Sequence, residues 1–327
     1  MQNLAESVEI RSKVPPPTQS FDSPVLPIRV IIPVRNEAHN LPRCLQSLSG
    51  AGEIYVIDSQ STDQTAEIAR GFGAKVVQFH YQGGWPKKRQ WALDTLPFSY
   101  EWVLLLDADE ALTPELASEV RLAIESPKIN GYQIGLEMFF LGKRLRHSGA
   151  SFYKLSLFRR GFGRFECRTR DQDDSMCDME VHEHVLVSGQ TGKLKNRLLH
   201  YNVESLSRYI QKHNEYSNWE VRVWNERAKI EHDQMQPSLW GSQAQRRRWL
   251  RGKAFGLPGS PLMFFLYKYV LRFGWMDGAP GLIYCLFQGI QFFHIKAKIY
   301  ESKVSQRACL AEDEELGLAG EQTYVRH

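Results

Sequence analysis

Three nearly unbroken apolar stretches punctuate the first third of the chain: "PIRVIIPV" at 27–34, "EIYVID" at 53–58 and "WVLLLD" at 102–107. Strands buried on both faces of a parallel sheet read this way, without the alternation of a half-exposed strand. Between them lie segments of helical character: "NLPRCLQSLSG" ending near Gly50, residues from about Thr62 to Phe72, and "KKRQWALDTL", with the short strand "KVVQFH" before the last. The order is β-α-β-α with short connections, which predicts a mostly parallel sheet covered by helices. Residues 131–200 are more mixed and read as antiparallel strands or hairpins joined to the acidic "RDQDDSMCDMEVHEHV". A helical pattern resumes over about 204–230.

Farther along, two apolar segments at 262–273 and 279–293 are interrupted or flanked by Lys268, Arg272, Asp277, Gly278 and Pro280. A bilayer-spanning helix needs about 20 apolar residues. The shorter, interrupted segments predict an interfacial helical hairpin, and the adjacent "RRRWLRGK" offers positive charge to an anionic membrane surface. Packing of the same helices on the enzyme domain, or in a dimer, is the competing expectation.

Composition narrows the class. At 327 residues and 43% hydrophobic content, the chain can bury a sizeable core. Its formal charge of +4 is small and unevenly placed, which favours a local anionic partner over nucleic acid wrapped around the whole protein. Five cysteines without ligand spacing predict neither structural zinc nor a disulfide framework. The opening "MQNLAESVEIRSKVPPPTQ" has no apolar core of a secretory signal and is expected to be a flexible leader.

The chemistry concentrates where apolar strands end. Ligand loops of such sheets lie beyond the C-terminal strand ends, so Asp58 and Asp107 can share one crevice. "VIIPVRNEAHN" lacks the glycines of a dinucleotide fingerprint, which disfavours a nicotinamide dehydrogenase. In "DAD", two oxygen ligands can hold a hard divalent cation that neutralises a diphosphate. Asp109 is the better metal ligand, Asp107 is closer to the nucleotide or ribose, and Glu110 orients the loop. A helix cap for "ALTPELASEV" is the bland alternative. Pro33, Arg35 and Glu37 form a first loop able to close over a base, and Asp58 can accept hydrogen bonds from base or ribose. Arg89 or Lys88 can meet phosphate, and Gln90 a sugar. Glu183 is the first choice for a general base, with Asp178 and Glu180 as alternatives. His182 and His184 flank it without a recognised metal spacing.

Together, "VIIPVRNEAHNLPRCLQSL", "EIYVIDSQSTDQTAEIA", "KKRQWAL", "WVLLLDADEALTPEL" and "VHEHVLVSGQTGKLKNRLLHY" resemble family 2 glycosyltransferases with the GT-A fold, especially those similar to lipopolysaccharide-core β-glucosyltransferases. The resemblance covers roughly residues 28–295. It implies an inverting enzyme that moves a sugar, with glucose one option, from a nucleotide-diphosphate donor to a lipid-linked or cell-envelope glycan. It also implies a divalent cation, Mg2+ or Mn2+. Pro33, Arg35 and Glu37 then fall in the first nucleotide loop, Asp58 at the base-binding strand end, and Arg89 in the donor-binding helix. Asp107 and Asp109 match Asp-X-Asp, and Glu183 matches the catalytic-base position. "RQ" at 89–90 departs from the basic-Asn pair often found in relatives.

The expected organisation is a flexible leader at 1–27, a GT-A catalytic domain at 28–200, a helical extension with interfacial amphipathic helices at 201–300 and a peripheral tail at 301–327. The expected location is the cytoplasmic face of the cell membrane, peripheral or monotopic. The competing class is a nonenzymatic membrane-associated nucleotide-sugar or glycan-binding protein, which keeps the first three loops but needs no base.

Overall fold

The computed structural model describes residues 25–97, 99–168, 183–201, 205–226, 236–241 and 243–323. Asp178, Glu180 and His182 fall outside them. Three parallel strands open the fold: β1 (Leu26–Val34), β2 (Ala51–Asp58) and β3 (Lys75–Gln78). Helices α1 (Leu41–Gln46), α2 (Thr65–Gly71) and α3 (Lys88–Thr95) interleave with them and with β4 (Trp102–Leu105). After β4 come β5 (Glu110–Ala111) and α4 (Pro114–Ala123), whose first turn is capped by Thr113, which accepts from the Leu116 N–H. The second half adds β6 (Gly131–Phe140), β7 (Lys143–Arg144), β8 (Tyr153–Arg159), β9 (Gly163–Phe165), β10 (Val185–Val187) and β11 (Thr191–Tyr201).

One nine-stranded sheet runs β3-β2-β1-β4-β8-β6-β11-β5, with β7 on β6, while β9 and β10 form a separate antiparallel pair. The expected parallel character holds from β3 through β4. Beyond β4 the sheet is mixed: β8 runs antiparallel to both β4 and β6, and β11 pairs parallel with β6. The segment from 131 to 200 thus extends the first sheet as well as forming hairpins.

The continuous hydrophobicity of the early strands has a direct cause. Ile28, Val30 and Ile32 face one core cluster with Val56, Leu104 and Leu106. Ile31 faces the opposite cluster with Ile57, Val103 and Leu105. A strand covered on both faces leaves no position for a polar residue except at its ends. Burial of each such aliphatic side chain stabilises the fold by roughly 1.5–3 kcal/mol.

The C-terminal part is helical: α5 (Leu206–Glu226), α6 (Gln243–Gly256), α7 (Ser260–Leu266), a π turn at Tyr267–Leu271, a 3-10 turn at Gly274–Asp277 and α8 (Gly278–Thr323). The helix α8 continues through residues expected as a peripheral tail. That stretch has no proline and carries several Glu, Ala and Leu residues, which are strong helix formers. Asp277 fastens this region to the sheet. Its carboxylate accepts from the Arg146 and His147 N–H groups at 3.1 and 3.0 Å and from Ser148 Oγ at 2.8 Å. Its carbonyl accepts from Lys143 Nζ at 2.8 Å.

Candidate active site

The loops after β1 and β2 are stitched together. Asn36 N–H donates to Ser61 Oγ at 2.9 Å, and its side-chain oxygen accepts from Thr62 N–H at 2.8 Å. Glu37 N–H donates to Thr65 Oγ1 at 2.8 Å and Ala38 N–H to Asp63 at 3.2 Å. Asn36 takes a positive φ of 53°, a conformation that asparagine tolerates better than most residues. Pro33 lies in β1 opposite Ile57, and Arg35 is exposed at the mouth of the loop. Asp58 is buried at the end of β2, where its carboxylate accepts from Ser61 N–H at 3.1 Å and Gln78 Nε2 at 2.8 Å. Asp58 therefore organises the second turn, whatever else it meets.

The Asp-X-Asp acids separate into different environments. Asp107 pairs with Arg89 from α3 and with Lys154 Nζ from β8 at 3.2 Å. Burial opposes its ionisation, but Lys154 and then Arg89 outweigh it and hold the carboxyl well below the usual range. Glu110 is buried; it pairs with Lys154 at 2.6 Å and accepts from the Asp107 N–H at 3.0 Å. It thus orients the loop. Asp109 has a different neighbour, His200 at the end of β11, with Nε2 3.7 Å from Oδ2. The His200 Nδ1 lies 3.4 Å from Glu110 Oε1. Burial lowers the affinity of His200 for its proton, yet Asp109 and Glu110 raise it overall.

Asp109 and His200 form a convergent oxygen and nitrogen pair. Among the described residues, no group of three or more acidic, histidine or cysteine side chains could cage a metal. Mg2+ and related cations need no such cage, because they keep several waters and take substrate phosphate oxygens beside one or two carboxylates, and Asp109 is the carboxylate here with room for that part. Asp107, held by two cations, is less suited to direct ligation. Cys44 lies beneath this loop, and burial pushes its thiol well above the usual range, so it is not a nucleophile here.

The residues of α3 divide their work. Lys88 donates to the Val34 carbonyl at 2.8 Å and is buried, which makes it a tie between helix and strand. Gln90, expected at a sugar, donates to Asp94 at 2.8 Å and accepts from the Phe165 N–H at 2.8 Å. Lys87, just before the helix, pairs with Glu183 at 3.0 Å, and neither side chain is exposed. The other Glu183 oxygen accepts from the Arg168 N–H at 3.2 Å. Glu183 precedes β10 and is not in a strand. Burial depresses the neighbouring His184 to about 4, so its imidazole is neutral near pH 7.

One wall of this region was absent from the sequence expectations. Along α5, Arg208 Nη2 donates to the Asn36 carbonyl at 2.8 Å and pairs with Glu37 at 3.3 Å. Lys212 is coupled first to Tyr216 and then, against burial, to Asp109, Glu37 and Asp107, which together raise it above the ordinary lysine range. Trp219 is buried beside Lys87 Nζ, 5.4 Å from its ring centroid, and Arg168 at 4.9 Å. Spacings of four and seven residues put these side chains on one helix face. At 1.5 Å per residue, Lys212 and Trp219 stand about 10 Å apart along the axis.

The family described as Glycosyl transferase family 2 matches residues 29–182, the strands and loops that carry Asp58, Arg89 and the Asp-X-Asp motif. The chain carries a family 2 glycosyltransferase domain of GT-A type and is a glycosyltransferase. It is 26% identical over 285 residues to the lipopolysaccharide core biosynthesis glycosyltransferase LpsC of Rhizobium meliloti, covering 85% of this chain and 93% of that one. An uncharacterised glycosyltransferase of Rickettsia conorii is 24% identical over 293 residues, covering 88% and 94% respectively. Among solved structures, the mannosyltransferase PcManGT from Pyrobaculum calidifontis, in complex with GDP-Man and Mn2+, aligns over 88% of this chain and 92% of that chain, with 14% identity and a TM-score of 0.49.

Proposed function

We propose that the protein transfers a sugar from a nucleoside-diphosphate donor to an envelope glycan, by a single displacement with inversion. The observation that carries this reading is the convergence of Asp109 and His200 beside the paired nucleotide loops, with Glu183 near the far end of the same α5 wall. Pro33, Arg35, Glu37 and Asp58 form the base and ribose side, and Arg89 with Asp107 borders the phosphates. Asp109 and His200 would hold a divalent cation, Mg2+ or Mn2+, which when bound supplies positive charge for the departing diphosphate. Glu183 takes the proton from the acceptor hydroxyl as the new bond forms at the anomeric carbon, and the bond to the diphosphate breaks on the opposite face. Lys87 and the Arg168 N–H fix the orientation of that carboxylate.

The acceptor class rests on the lipopolysaccharide core role named for the Rhizobium relative and on the surface of the helical region. Leu262, Met263, Leu271, Trp275 and Phe293 are each more than half exposed on α7, the following turns and α8. No helix among the described residues is long and apolar enough to cross a membrane. Of the basic run on α6, Arg248 and Arg251 pair inward with Glu166 and Glu220, while Arg246, Arg247 and Lys253 remain exposed. Apolar side chains rimmed by exposed cations suit an anionic membrane surface carrying a lipid-linked acceptor.

The test is a panel of nucleotide sugars with lipid-linked or glycan acceptors on anionic vesicles, following both free nucleotide and glycosylated product. Glu183→Gln is expected to bind donor within about threefold of wild type while transfer falls at least about a hundredfold. Wild-type transfer by the folded variant would remove Glu183 from the chemistry. A lowered melting temperature with unchanged transfer per folded molecule would assign it to the Lys87 ion pair alone.

A further inference from the structure

We propose that Lys212 of α5 binds the diphosphate of the nucleoside-diphosphate leaving group, as a protein cation acting beside the divalent ion. This rests on the donor reading above and adds to it a residue outside the matched family region.

The face of α5 that carries Lys212 is fixed at both ends. Arg208, one turn earlier, is tied to the Asn36 carbonyl and Glu37 in the first nucleotide loop. Trp219, two turns later, packs beside the Lys87 that holds Glu183. The neighbouring faces are anchored elsewhere. Tyr209 packs against Phe140 and Phe287, with ring centroids 5.6 and 5.2 Å away. Lys298 of α8 donates to Asn214 at 2.7 Å and to Ser217 at 2.7 Å. A helix held in this way presents Lys212 to the crevice between the nucleotide loop and the proposed base.

The surroundings of Lys212 are acidic without closing on it. Tyr216, one turn on in the same helix, is its foremost neighbour, and Asp109, Glu37 and Asp107 are within electrostatic reach of the ammonium as well. Lys154 shows what a lysine serving those acids alone does: it lies 2.6 Å from Glu110 and 3.2 Å from Asp107. Lys212 makes no comparable ion pair among the described residues. A charged amine held beside carboxylates but not bonded to them is placed for an anion that arrives later. The reaction itself calls for such a charge. When the anomeric C–O bond breaks, its electron pair stays on the nucleotide, which leaves with one more negative charge than the bound donor had. A fixed cation at that point favours the transition state more than the ground state.

The experiment is calorimetric titration of wild type, Lys212→Met and Lys212→Arg with UDP and GDP in saturating Mn2+, with uridine and guanosine as controls. The wild type is expected to bind one of the diphosphates. Lys212→Met should weaken that binding at least about tenfold, the scale of a lost charge-assisted contact, while nucleoside binding stays within about twofold. Lys212→Arg should recover most of the loss, because it keeps the charge. Undiminished diphosphate binding by Lys212→Met, or equal weakening of diphosphate and nucleoside, would overturn the assignment while leaving the donor reading intact. Failure of the wild type to bind either diphosphate would instead overturn the donor reading, and the inference with it. If Lys212→Met does not fold, Lys212→Gln carries the same comparison.

Discussion

Two clusters of charge lie at opposite ends of the parallel strands, and they are completed differently. At the N-terminal ends, Glu53 of β2 receives Arg29 from β1 and Lys75 from β3, and Arg29 lies over the Tyr55 ring at 4.7 Å. One carboxylate meets two cations, each of its oxygens is engaged, and Arg29 is wholly buried. At the C-terminal ends, Arg89 and Lys154 engage Asp107 and Glu110, while the ion pair of Asp109 among the described residues is the longer one to His200 at 3.7 Å. The first cluster is closed by the chain. The second holds Asp109 only by a long contact to an imidazole, and on the proposed function that looser carboxylate is the one a ligand completes, whereas the first cluster holds the fold.

The contrast can be broken by substitution. The largest effect on activity is expected from Asp109→Ala, with sugar transfer down by at least about a hundredfold and the unfolding transition nearly unmoved. Wild-type turnover in that variant would place Asp109 with the structural acids. Glu53→Gln should do the reverse. It leaves Arg29 buried beside a neutral amide, so denaturant unfolding should show about 3–5 kcal/mol less stability, with transfer per folded molecule unchanged. The smallest effect belongs to Lys75→Met, whose side chain is 58% exposed. Its unfolding curve should overlie that of wild type, because an exposed ion pair contributes little. A Lys75 effect as large as that of Glu53 would mean that the closed cluster depends on its exposed member rather than on Arg29.

What could be read from the sequence follows the range of the interactions. Strands β1, β2 and β4 announce themselves because burial on both faces demands local apolar continuity, and the loops after them begin where that continuity stops. Asp107 and Asp109 are legible for the same reason. Their partners are not. Lys154 and His200 lie on β8 and β11, and they reach the acids only because the sheet places β8 beside β4 and β11 beside β5. No local pattern encodes that order. Arg208 carries no local signal either, because only the packing of α5 brings it to the first loop. Gln90 is the converse case: its amide suits a sugar as well as it suits Asp94 and the Phe165 backbone, which it meets in the structure. Only position distinguishes them.

The rivet at Asp277 has a consequence for scale. Three donors on its carboxylate and one on its carbonyl join the apolar helical region to the β6–β7 end of the sheet. The exposed apolar strip and the loops at the C-terminal strand ends are thereby joined through the sheet, so if a bilayer holds the strip, as proposed, it meets those loops at a fixed height. On that reading the join would act as a depth gauge, selecting acceptors by how far their reactive hydroxyl stands above the headgroups before any sugar is recognised by shape.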